Sequence, residues 1–121
     1  MDKQLLKQAR DALGKGNFQE ALASLETLLK DDPVNYNGLV FKGKAHADMG
    51  DTDKAVMAYR QAITATPSQP LAWVGLSQVA TKGGDVSTQV EALTALRAIY
   101  ADLSDPLSLL LLLSSSSFFG D

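Results

Sequence analysis

The chain has no cysteine, which excludes disulfide bridges, thiolate zinc sites and a cysteine nucleophile, and fits a reducing compartment. It also lacks a dominant charge sign. Against 11 Lys and Arg stand 14 Asp and Glu, a net charge of −3, so no overall field draws the protein to nucleic acid or an anionic membrane. Any basic contact must be local. The opening "MDKQLLKQARDAL" carries charges throughout and lacks the apolar segment of a secretory signal, which makes the cytoplasm the expected location. The leucine-rich stretch at residues 107–113 is far short of the ~20 residues that a helix needs to cross a bilayer. No segment alternates apolar and polar residues with period two, so no strand is expected.

What is present is a repeated skeleton. Its 121 residues, 45% of them hydrophobic, suffice for one domain or one short array but not for two sizeable cores. Within them "GNFQEALASLETLLKDDP" at 16–33 returns 34 residues later as "GDTDKAVMAYRQAITATP" at 50–67. Gly16 recurs as Gly50, Ala21 as Ala55, Leu25 as Tyr59, Leu28 as Ala62 and Pro33 as Pro67. Apolar residues at helical spacing predict helices over 2–15, 18–31, 35–49, 53–65, 69–82 and 86–100, divided by glycine-containing turns and by Pro33 and Pro67.

Two helices per 34-residue unit, small residues at one crossing and a closing proline resemble the tetratricopeptide repeat. The expected fold is all-α: a tetratricopeptide α-α superhelix of three helix pairs, with units at about 2–35, 36–69 and 70–105 forming one repeat domain over 1–105. Ala21 and Ala55 would stand where paired helices approach closely, and Leu25, Tyr59 and Leu93 would fill the space beneath. Gln89 takes that small-residue position in the third unit, which predicts a looser or more tilted last pair.

Such an array turns the first helix of each pair toward its concave side, where it can hold an extended segment or helix of a partner. The inward positions compare unit by unit. One row reads Lys3, Asn37, Leu71; the next Leu6, Val40, Val74; the next Arg10, Lys44, Gln78; Leu13, Gly14, Ala47, Asp48, Thr81 and Lys82 follow. An apolar row beside a basic row suits a protein partner with apolar anchors and carboxylates. The bland alternative is a solvated face with no ligand. Direct RNA binding along Lys3, Arg10, Lys44 and Lys82 is a second alternative, and none is expected. The chaperone-type carboxylate clamp would need polar donors at Leu6, Arg10, Phe41, Leu71 and Gly75, so a chaperone carboxylate-clamp peptide is not an expected partner.

Other residues favour structural roles. His46, the single histidine, reads as a core or rim residue, and Trp73 as core filling. The glycines of "KGGD" and "FKGKAHADMG" follow no strand and lack the ending of a phosphate loop, and Asp31 and Asp32 lie in a turn. Nothing assembles a nucleophile, a base and an oxyanion site. No enzyme, metal or cofactor is expected.

The run "NYNGLVFKGKAHADMGDTDKAVMAYRQAITATPSQPLAWVGLSQV", preceded by "ARDALGKGNFQEAL", resembles the N-terminal repeats of the large tetratricopeptide subunit of the superkiller complex. "NYNGLVF" and "PLAWVGL" are the most specific parts. The resemblance covers about residues 1–106 and implies a scaffold that joins an RNA helicase and a propeller subunit and supports 3′-to-5′ messenger-RNA decay by the cytoplasmic exosome. Superkiller-complex or exosome-linked proteins are then the expected partners, with no membrane. Members run to many hundreds of residues and their helicase and propeller contacts lie largely in later repeats, so this chain would correspond to the N-terminal arm. A generic tetratricopeptide adaptor for another peptide, or a truncated product without independent function, is the alternative. The low-complexity end "PLSLLLLLSSSSFFGD" at 106–121 departs from the family: it reads as an aberrant terminus or, alternatively, as a seventh helix capping the open end.

Overall fold

The computed structural model describes residues 2–102. Six helices follow one another: α1 Asp2–Gly14, α2 Phe18–Asp31, α3 Tyr36–Asp48, α4 Thr52–Ala65, α5 Pro70–Gly83 and α6 Val86–Asp102. No strand occurs among the described residues. The readings of 106–121 lie outside them.

Each pair is folded back by the same device. Gly16, Gly50 and Gly84 adopt φ of 77°, 81° and 72°, the left-handed conformation that a residue without a β-carbon enters cheaply. The next residue then sends its N–H back five positions to close the first helix, Asn17 to the Ala12 carbonyl and Asp51 to that of His46 at 2.8 Å, and Asp85 to that of Ala80 at 2.9 Å. Asp51 and Asp85 also cap the following helix, their carboxylates accepting from the Lys54 and Thr88 N–H groups at 3.4 and 3.1 Å. One residue thus ends a helix and starts another.

Side-chain size sets the packing. Ala21 and Ala55 are fully buried at the crossings, as are Leu25, Leu28 and Ala62. The main core joins Leu39, Ala55, Tyr59, Ala62, Ala72 and Leu76 across the second and third pairs, and a smaller one joins Ala9, Leu25 and Leu28, with Phe41 of the next unit packed on it. Trp73 is half-buried against the main core and donates its indole N–H to the Pro67 carbonyl at 3.1 Å. One expectation for the third pair is corrected. Leu93 is only half-buried, because Leu25 and Tyr59 are covered by the next unit's first helix whereas no described helix follows α6. Beside Gln89, Ala92 and Leu96 supply the buried contact of α6 one and two turns on.

Candidate binding groove

The first helices touch in series, α1 against α3 and α3 against α5, and this crowding puts them on the inner side of the array. On the outer side, α4 and α6 are bridged by Arg60, whose two guanidinium nitrogens donate to the Glu91 carboxylate at 2.9 and 3.1 Å. That pairing raises the Arg60 pKa and lowers that of Glu91, the hydrogen bonds being the largest cause in each.

The sequence-derived rows have uniform exposure. Lys3, Asn37 and Leu71 are exposed, Leu6, Val40 and Val74 half-buried, and Arg10, Lys44 and Gln78 exposed. Leu71, 56% exposed, puts a large apolar side chain on this surface. Between the C-terminal halves of α3 and α5 the groove deepens into a pocket of about 290 Å³. Lys44, Ala47 and Asp48 line one wall, Gln78, Val79, Thr81 and Lys82 the other, and Tyr59 of α4 reaches it from beneath. Of the nine groove residues named from sequence, Lys44 and Gln78 enter this pocket; Lys3, Leu6, Arg10, Asn37, Val40, Leu71 and Val74 do not.

Sequence reasoning placed Tyr59 in the core and missed its second role. A β-carbon on Gly43 would come within 2.7 Å of its ring, and one on Gly75 closer still, so only two glycines let the ring pass between α3 and α5. The available signal was glycine in the middle of two helices, where it costs helix stability and therefore marks a close approach. Burial, and secondarily the Asp48 carboxylate, push the Tyr59 pKa up to about 12, so the hydroxyl remains a donor. At the rim, Lys44 and Asp48 form an exposed ion pair of 3.4 Å.

His46 is buried on the other side of α3, beside a cleft also lined by Leu22, Glu26 and Lys42. Its Nδ1 has no hydrogen-bond partner, and burial, with smaller effects from Lys42 and Lys54 opposed by Asp51, lowers its pKa. Among the described residues no three His, Asp or Glu side chains are grouped to hold a metal ion, and no helix is long and apolar enough to cross a membrane.

Stacked helix pairs with a half-apolar, basic inner trough define a helical-repeat interaction module. The chain belongs to the tetratricopeptide repeat family, whose model matches residues 6–70 and again 42–104. It is 40% identical to Superkiller complex protein 3 of Mus musculus over 103 residues, 85% of this chain and 6% of that protein. It is 34% identical to Superkiller protein 3 of Saccharomyces cerevisiae over 83 residues, 61% of this chain and 6% of that protein. The chain therefore spans a small fraction of the length of these relatives. Among solved structures, the TPR2B domain of yeast Sti1, in a complex with pHsp70, superposes with a TM-score of 0.79 at 16% identity, covering 85% of this chain and 82% of that one. That likeness is one of fold.

Proposed function

We propose that this chain holds a peptide or helix of a protein partner in its inner groove, and that it serves the cytoplasmic superkiller machinery supporting 3′-to-5′ messenger-RNA decay by the exosome. The observation that carries the groove is the concentration of cations on inner positions: Lys3, Arg10, Lys44 and Lys82 stand there against Asp48 alone, in a chain with more acidic than basic residues. The match to superkiller proteins of a mammal and a yeast supports the second part. The chain's work is to position proteins. RNA would be handled by the partners, so the chain alone is expected to bind none in a filter assay across salt.

The test uses the immobilised 121-residue chain and purified superkiller helicase, propeller and exosome-linking proteins, offered singly and together. Retention of the exosome-linking protein, weakened at least about tenfold by Lys44→Glu with helicity unchanged, is expected, since like charges brought together across an interface cost several kcal/mol and about 1.4 kcal/mol is already tenfold. Failure of the folded chain to retain any of the three would remove the messenger-RNA decay role.

A further inference from the structure

The pocket between α3 and α5 is more specific than a basic trough requires. Lys44 and Lys82 approach it from opposite walls, Gln78 offers an amide, and Tyr59 reaches it from below. Among the described residues Lys82 has no ion-pair partner, while Lys44 is held by Asp48 in an exposed pair that water screens and a better-placed carboxylate can outcompete. The Thr81 hydroxyl is already committed, donating to the Ser77 carbonyl at 2.8 Å, while Gln78, Lys82 and Tyr59 make no side-chain hydrogen bond or ion pair among the described residues and Lys44 has only its exposed pair with Asp48.

Helix ends close to a pocket ordinarily disfavour an anion, because their last carbonyls are bare. Here five of those carbonyls are occupied. Ala45, His46 and Ala47 accept from the N–H groups of Met49, Asp51 and Gly50, and Ala80 and Thr81 from those of Asp85 and Gly84. This weakens the opposing effect of the helix ends, and of the three charged residues lining the pocket two are lysines, Lys44 and Lys82, against Asp48. Its volume of about 290 Å³ admits one acidic side chain with some of its water, given that a water molecule takes about 30 Å³ of liquid.

We propose that this pocket seats an internal aspartate or glutamate side chain of the partner, with Lys44 and Lys82 closing on its carboxylate from either side and the Tyr59 hydroxyl donating from the floor. The proposal rests on the groove reading above and adds the chemistry of its anchor. A side chain is favoured over a chain terminus because, of the positions at which a terminal-carboxylate clamp needs donors, Leu6, Phe41, Leu71 and Gly75 carry none and Arg10 alone does. Tyr59 acts from a second helix of its pair and would be a specificity-determining residue outside the inner rows.

The test is selection from two random twelve-residue peptide libraries on the full chain, one displayed internally with both ends linked and one with free C-termini. The internal library is expected to enrich peptides with Asp or Glu beside apolar residues, and synthetic versions of an enriched peptide should lose about tenfold in affinity when that residue becomes Gln or Asn. Lys82→Glu should shift the selection to Lys or Arg at the same place. Tyr59→Phe should weaken the acidic peptide several-fold with an unchanged melting temperature, an effect that a purely structural tyrosine would not give. Enrichment only from the free-C-terminus library, or an acidic preference that survives Lys82→Glu, overturns the proposal while leaving the groove intact. Retention of no peptide from either library sinks the groove reading and this pocket with it.

Discussion

The ring of Tyr59 lies against the backbone of Gly75 with no room for a side chain between them: a β-carbon there would overlap the ring carbons Cε1 and Cζ. Gly75 is in the middle of α5, where helix propensity alone favours alanine by about 1 kcal/mol. The ring cannot yield like the tip of a flexible chain, since Gly43 stands against it as well. Overpacking of this kind costs about 1–3 kcal/mol, so Gly75→Ala should destabilise the protein in urea. Gly14 has open space around its β-position and no strained φ, and Gly14→Ala should be neutral or stabilising by up to about 1 kcal/mol. A stabilising Gly75→Ala would show that Tyr59 is not between the two helices.

Tyr36 performs a capping task for a helix that is not its own. Its hydroxyl accepts from the Ala72 N–H at 2.9 Å and donates to the Gln69 carbonyl at 3.3 Å. The Gln69 side chain makes no cap bond, and Pro70 follows with no N–H to offer. An N-terminal cap is worth about 1 kcal/mol, and Tyr36→Phe should cost about that by leaving the Ala72 N–H without its acceptor. Hydrogen exchange at Ala72 should quicken in the variant. Unchanged stability and exchange would mean that water serves the N–H equally well.

These two tyrosines mark where reading the chain alone stops. Helix positions, turns and the small residues at Ala21 and Ala55 were legible because they obey local rules and return at a fixed period. The caps of Asp51 and Asp85 are local in the same sense, since each reaches only three residues ahead. Tyr59 entering the inner face and Tyr36 capping α5 are contacts between units, and the period hides them: Leu25 and Leu93 share the register of Tyr59 but carry no hydroxyl. Leu93 was misjudged because its burial depends on a neighbour beyond α6, which no local pattern encodes.

His46 makes stability depend on pH with a definite sign. It is only 8% exposed, and it is lined up with Ala12 and Ala80 of the other units, where no polar group is buried. In the unfolded chain an imidazole titrates near ~6.5, and in the folded protein burial lowers that pKa. The folded state therefore binds fewer protons, so the penalty is absent above pH ~6.5 and grows as pH falls through the interval down to the folded pKa. Asp51 opposes the shift while Lys42 and Lys54 add to it. The urea midpoint of the protein relative to His46→Ala should fall between pH 7 and pH 5. A difference that stays flat over this range would place the imidazole in water.

The same register position should respond in opposite ways in the second and third units. Ala55 is fully buried where α3 and α4 cross, so Ala55→Arg must either force the helices apart or bury a guanidinium without a partner. Either exceeds the few kcal/mol that one pair contributes, and helicity by circular dichroism should drop as the second unit and its neighbours lose their packing. Gln89 occupies the corresponding place in α6, is half-buried, and already carries a long polar side chain to the surface. Gln89→Arg extends that path and should change stability by less than about 1 kcal/mol, the range of ordinary surface substitutions. If both substitutions unfold the chain, Gln89 is as enclosed as Ala55; if neither does, the crossing lies elsewhere on α4.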